Sequence, residues 1–253
     1  MKRTYKLIAH IGLLLGVFWC SNGNADLPNM IEKIKPAIVA IGTFHKTQSP
    51  PFSFRGTGFV IANGNKIATN AHVLPEAGPP EAPELAVLIR SSTGEGSIRR
   101  AKLLSKDVDH DLAILYVDGP PLPALSIGNS TGVREGQEIA FIGFPIGGVL
   151  GFSPVTHRGI ISALTPIAIP GANSNQINEK LIKQIRKGTF NVFQLDATAY
   201  PGNSGSPVFN TESGEVIGVI NMVFVKGTKE AVLSNPSGIS YAIPANYLTE
   251  LLR

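Results

Sequence analysis

Pro201-Gly202-Asn203-Ser204-Gly205-Ser206-Pro207 is the stretch on which the reading of this chain turns. Glycine reaches φ > 0 without steric cost and lets a ligand backbone come close. Gly202 and Gly205 therefore suit a sharp turn that exposes one hydroxyl and pools backbone N–H groups beside it. Ser204 becomes a candidate nucleophile. The same heptapeptide also reads as an ordinary surface turn, since Gly, Asn, Ser and Pro are turn residues. The choice between the two has to come from elsewhere in the chain.

It comes from upstream. Thr69-Asn70-Ala71-His72-Val73-Leu74 closes a stretch beginning at Gly56 that reads as two short strands joined at Asn63-Gly64-Asn65, because Asn-Gly between apolar runs is a strong hairpin signal. This places His72 just past a strand end, where functional side chains concentrate. Asp111 opens Asp111-Leu-Ala-Ile-Leu-Tyr-Val117, a carboxylate at the start of an apolar strand, able to face a histidine from a buried position. A serine hydroxyl is a weak nucleophile until an imidazole accepts its proton, and the imidazole needs a carboxylate to fix its tautomer. His72, Asp111 and Ser204 supply all three parts, in that chain order. Asp107 and Asp109 stand close by, but only Asp111 abuts the apolar run.

The chain resembles the trypsin-like serine proteases, which share this chain order, and specifically the protease domain of the bacterial HtrA family. The resemblance rests on Gly56-Thr57-Gly58-Phe59-Val60-Ile61, Thr69 to Val73, Asp111 to Leu115, Gly143-Phe144-Pro145, Thr156 to Ala163, Gln194-Leu195-Asp196-Ala197, Pro201 to Gly205 and Ile239 to Pro244. They run in order from about residue 30 to the C-terminus. Ser206 departs from the pattern, which has a second glycine there. The resemblance implies an all-β fold of two antiparallel six-stranded β-barrels, chymotrypsin-like, with a short C-terminal helix. It also implies a serine endopeptidase acting through an acyl-enzyme, in protein quality control or processing in the bacterial envelope, with unfolded or mislocalised polypeptides as substrates. The alternative from a different class is a non-catalytic peptide-binding or chaperone-like protein on the same fold.

The oxyanion-hole donors are assigned to the N–H groups of Gly202 and Ser204, two residues apart in the turn, and Pro201 cannot contribute one. Asn203 stands where digestive enzymes of the trypsin type carry an aspartate that pairs with a freed N-terminus, so activation by that route is not expected. By alignment from the serine, Thr198 falls at the base of the primary pocket, with Ile220, Asn221 and Met222 as a wall. A pocket base without a carboxylate lacks a counter-ion for Arg or Lys. Small or medium apolar P1 residues are expected instead. His110 reads as a solvent-facing neighbour of Asp111, His157 as a surface or packed histidine, and Asp196 as structural. Scattered histidines and one cysteine make no metal-ligand cluster, and neither metal nor cofactor is expected.

Residues 1–25 have the layout of a secretory signal peptide: Lys2, Arg3 and Lys6, an apolar run from Leu7 to Phe18, then small and polar residues ending in Gly23-Asn24-Ala25. A retained N-terminal anchor is the competing reading, and Trp19 disfavours a lipid anchor on Cys20. The expected location is exported, periplasmic or secreted, with no stable membrane insertion after cleavage. Cys20 is the chain's one cysteine and leaves with the leader, so the mature protein is expected to lack disulfides. Lys2, Arg3 and Lys6 also account for three of the four net positive charges. The basic balance is thus no argument for binding nucleic acid.

Residues 26–253 read as one protease domain, with a first barrel at about 36–128, a second at about 134–243 and a helix over 245–253. Met30 to Lys35 reads as a lead-in helix, and Ala37 to Phe44 as the first strand. No internal repeat is visible. No segment long enough for a PDZ module follows the last helix, so regulation through one is not expected. Residues 171–188 show helical spacing at Ile177, Leu181, Ile182 and Ile185 amid Lys180, Lys183, Arg186 and Lys187. This basic helix either packs on the second barrel with solvated lysines, or carries a signal to the active-site loops or touches an anionic surface. The oligomeric state stays open, with a homotrimer as one outcome.

Overall fold

A computed structural model describes residues 26–76, 78–79, 81–90, 96–147, 151–166, 190–221 and 239–253. The signal peptide expected over residues 1–25, the 171–188 segment and Met222 lie outside the described residues. Helix α1 (Leu27–Ile34) begins three residues before the lead-in helix expected from Met30. Pro28 explains the earlier start: at the first helical positions its missing N–H is no loss and its fixed φ suits the helix. One 3-10 turn, Lys35–Ala37, then delivers the chain into the first strand.

Six strands close the first barrel: β1 (Ile38–Phe44), β2 (Phe52–Ile61), β3 (Lys66–Asn70), β4 (Glu84–Arg90), β5 (Gly96–Asp107) and β6 (Leu112–Val117). Six more close the second: β7 (Glu138–Gly143), β8 (Val155–Pro166), β9 (Asn191–Asp196), β10 (Pro207–Asn210), β11 (Val216–Asn221) and β12 (Ile239–Pro244). Helix α2 (Ala245–Leu251) ends the chain. The strand order is β1-β2-β3-β6-β5-β4 in the first barrel and the equivalent β7-β8-β9-β12-β11-β10 in the second, all pairs antiparallel. The architecture is the all-β double barrel expected from the sequence.

Several strands are apolar on both faces, and side-chain alternation explains why. In β1, Val39 and Ile41 fill the first barrel, whereas Ile38 and Ala40 face the seam between the barrels. In β7, Ile139 and Phe141 fill the second barrel, whereas Ala140 and Ile142 face the seam. Phe59, Phe144, Phe209 and Leu248 join that seam cluster, which is as dry as either barrel interior. Burial of apolar surface, worth about 25 cal/mol per Å², therefore stabilises the seam by the same mechanism as it does the barrel interiors.

The hairpin at Asn63-Gly64 is present, but as a four-residue loop in which Ala62 and Gly64 carry φ of 55° and 87°. Its register, Ile61 opposite Lys66, carries β3 down the barrel to end at Asn70.

Candidate active site

The register of β3 against β6 builds the first half of the site. Asn70 pairs with Leu112, so the residues just past these two ends, His72 and Asp111, are brought side by side. A single 3-10 turn, Ala71–Val73, then lifts His72 out of the sheet. Asp111 adopts φ of 52°, a left-handed backbone that costs a non-glycine residue about 1–2 kcal/mol. Its carbonyl is held there by Ala71 N at 3.1 Å and by Asn70 Nδ2 at 3.0 Å. The carboxylate faces the imidazole. Oδ1 accepts from His72 N at 2.8 Å, and Oδ2 lies 2.5 Å from His72 Nδ1. An ionised carboxylate only accepts, so the Nδ1 nitrogen carries the proton, and in the neutral ring Nε2 is the nitrogen with the lone pair. Asn221 Nδ2 donates to the same Oδ2 at 2.7 Å, fixing the carboxylate from the second barrel.

The second half is the 201–206 turn. Gly202 and Gly205 have φ of 104° and 86°. A Cβ at Gly202 would strike the Phe144 carbonyl and the Phe54 ring, and one at Gly205 would strike the Thr57 carbonyl. Each peptide of the turn is gripped by its carbonyl. Ile146 N donates to Pro201 O at 2.8 Å, Thr57 Oγ1 to Gly202 O at 2.7 Å, Ser206 N to Asn203 O at 2.9 Å and Thr57 N to Ser204 O at 2.9 Å. In a planar trans peptide the N–H points opposite the C=O. Fixing the Pro201 and Asn203 carbonyls therefore aims the N–H groups of Gly202 and Ser204 the other way. The amides of Asn203, Gly205 and Ser206 are committed to Tyr200 O, Ile220 O and Asn203 O. Those of Gly202 and Ser204 have no partner among the described residues.

The two halves meet at Gly56. A Cβ built there would lie 2.8 Å from the Val73 side chain, one residue on from His72, and 3.1 Å from Ser204 O. His72 is exposed at the surface, its backbone N and Nδ1 both bonded to Asp111, so Nε2 is the ring nitrogen left to meet a hydroxyl.

Around the expected pocket, Thr198 is half-buried and lies between Ala197 and Ala199, which Ser240 straps together: Ser240 Oγ donates to Ala197 O at 2.7 Å and accepts from Ala199 N at 3.0 Å. Ile220 is fully buried among the second-barrel core residues. Asn221 is also fully buried, with its side-chain amide turned to Asp111. Neither the Ser240 strap nor the service of Asn221 and Asn70 to Asp111 was read from the sequence. Asn70, two residues before the histidine, was a visible signal; the other two contacts span more than forty residues.

His110 is not the solvent-facing residue its position in an extended chain suggested. Its ring stacks on Tyr247 of α2 at 3.9 Å and meets Phe190 edge-on at 4.6 Å, and its Nδ1 lies 2.5 Å from Asp107 Oδ2. The chain is turning, not extended, between β5 and β6, so alternation does not apply. Burial pushes the Asp107 carboxyl up, but the hydrogen bonds from the His110 side chain and backbone outweigh it and leave the group below its usual value. His157 stacks on Phe141 at 4.7 Å, and burial lowers its pKa. Asp196 ends β9 and is exposed. Asn203 and Ser206 are buried, and neither side chain has a hydrogen-bond partner among the described residues. Ser206 fits because Gly143 opposite it has no side chain. No group of side chains with metal-ligand character occurs among the described residues, and none of their helices is long and apolar enough to cross a membrane.

Comparison with known proteins agrees with the double-barrel fold. A "Probable periplasmic serine endoprotease DegP-like" from Pseudomonas savastanoi is 32% identical over 286 residues, covering 96% of this chain and 52% of the relative. The chain thus spans about half the length of that relative, and 32% of another of the same description from Halomonas elongata. Among solved structures, "HtrA-type protease AlgW with tripeptide" superposes with a TM-score of 0.63 at 27% identity, covering 89% of this chain and 62% of that one. "Crystal structure of Deg5" superposes with a TM-score of 0.62 at 26% identity, covering 88% and 90%. The family model described as a trypsin-like peptidase domain matches residues 56–219, a span that holds His72, Asp111 and Ser204, and the chain belongs to that family.

Proposed function

We propose that this protein is a serine endopeptidase of the HtrA type. His72 Nε2 takes the proton from Ser204 Oγ as the oxygen attacks the scissile carbonyl, and the developing oxyanion is met by Gly202 and Ser204 N–H. The imidazolium then delivers its proton to the leaving amine, leaving an acyl-enzyme that water hydrolyses by the same steps in reverse. Asp111 stays ionised and orients the ring throughout. The observation that supports this reading is the two-point hold of Asp111 on His72, together with a glycine-flanked serine whose turn presents two amides without a partner among the described residues, the two parts approaching each other at Gly56.

The substrates are unfolded or mislocalised polypeptides of the bacterial envelope, and the protein acts there after export. The relatives named as periplasmic endoproteases support this location. A pocket based on Thr198 favours small or medium apolar P1 residues. The test is casein digestion by the wild type and by Ser204→Ala, with a fluorophosphonate probe on both. Cleavage and labelling by the wild type alone are expected. Intact casein with both proteins, together with an unlabelled Ser204, would overturn the proposal.

A further inference from the structure

We propose that Thr57 is the positioning residue for the oxyanion turn: its buried side chain, on the opposite barrel from the serine, anchors the Gly202–Asn203 peptide that joins the two peptides carrying the Gly202 and Ser204 amides. The inference rests on the reading of Ser204 as nucleophile. Thr57 lies in β2 and is fully buried. Its hydroxyl donates to Gly202 O at 2.7 Å and accepts from Phe144 N at 3.1 Å, while its backbone N donates to Ser204 O at 2.9 Å. One residue therefore grips the carbonyls on both sides of Asn203, the segment that carries both candidate donors. Its own carbonyl accepts from Thr69 Oγ1 at 2.7 Å, three residues before His72. A single threonine thus links the histidine-bearing strand, the turn and the 144–147 loop whose Ile146 holds Pro201.

Side chains inside the turn offer no substitute. Both polar atoms of the Asn203 amide and the Ser206 hydroxyl are buried without hydrogen-bond partners among the described residues. A glycine-flanked turn has many accessible backbone conformations, so its rotation has to be stopped from outside. The Thr57 hydroxyl meets that need: as donor it fixes the Gly202 carbonyl, and as acceptor it fixes the Phe144 amide behind it. Without the hydroxyl the peptide between Gly202 and Asn203 keeps only the bond from Asn203 N to Tyr200 O and loses its tie to the opposite barrel, so it can tilt and carry the neighbouring N–H groups off the site of the oxyanion. Ground-state binding by the pocket would remain.

Thr57→Val keeps the shape and the backbone bond to Ser204 while removing the hydroxyl. Its kcat on fluorescently labelled casein is expected to fall ten- to a hundredfold with KM changed less than threefold, a loss below the 10²–10³ typical of deleting an oxyanion donor outright. Thr57→Ser, which keeps the hydroxyl, is expected to restore kcat to within a few fold. The rate of Ser204 labelling by the fluorophosphonate should fall with kcat. Should the valine variant not fold, Thr57→Cys measured against Thr57→Ser makes the same comparison, because a thiol is a weak donor. Equal kcat values for the hydroxyl-bearing and hydroxyl-free variants overturn the proposal, as does a loss confined to KM. A wild type that neither cleaves casein nor takes the probe defeats the protease reading itself, so the two failures are separable.

Discussion

Asp111 holds His72 at two points, its Oδ1 on the backbone amide at 2.8 Å and its Oδ2 on Nδ1 at 2.5 Å. The first bond positions the residue and the second selects the tautomer. Asn221 Nδ2, bonded to Oδ2 at 2.7 Å, leaves the carboxylate little rotational freedom.

The tautomer carries a prediction. Asp111→Asn places an amide opposite Nδ1, which favours the proton on Nε2, where the base must be empty. Turnover is expected to fall on the order of 10⁴ with the fold intact, as when the aspartate of other triads is amidated. Casein cleavage rates alongside circular dichroism check this. A turnover matching the wild type would move the acid to another residue.

Gly202 is expected to tolerate no side chain. With φ of 104° and the Phe144 carbonyl and Phe54 ring against its Cα, alanine must push the turn aside. Left-handed backbone costs alanine about 1–2 kcal/mol before any clash is counted. Because the displaced peptide carries a proposed oxyanion donor, Gly202→Ala is expected to lose on the order of 10²–10³ in kcat. Thermal melting and steady-state kinetics on the same preparation check it, and unimpaired kcat would reassign the oxyanion donors.

His157 predicts how stability depends on acidity. Burial holds its imidazole below the ordinary 6.5, so as the pH falls through that value the unfolded chain takes up a proton that the folded chain refuses. Stability from this residue is full above the ordinary value and declines below it until the lowered folded value is passed. Asp107, also lowered, acts with the same sign but from 3.8 downward. His157→Phe keeps the stack on Phe141 and removes the titration. Its melting temperature should drop less than that of the wild type between about pH 7.5 and pH 5. Parallel drops in the two proteins would show that His157 does not titrate in this window.

The strands were legible because a β-strand advertises itself locally; their closure into two barrels was implied by the family resemblance of the motifs. Val39 and Ile41 against Ile38 and Ala40 make a continuous apolar run that needs burial on both sides, and motifs such as Thr69 to Val73 mark where strands end. His72 and Asp111 could be picked out because each stands directly beside such an end. What stayed hidden is what joins distant parts of the chain. Thr57 and Gly202 are 145 residues apart, and Asn221 and Asp111 are 110 apart; no local pattern announces either bond. His110 misled for a related reason, since its burial is supplied by Tyr247 at the far end of the sequence. The repeated strand order of the barrels, too, has no counterpart in any repeat of residues.

His72 and Asp111 ride on one barrel, while the 201–206 turn rides on the other. On the proposed mechanism, proteolysis is therefore a gauge of how well two separately wound halves are clasped. A solvent or substitution that merely slackens the clasp, leaving each half wound, would silence the enzyme while spectroscopic signals of secondary structure stay unchanged.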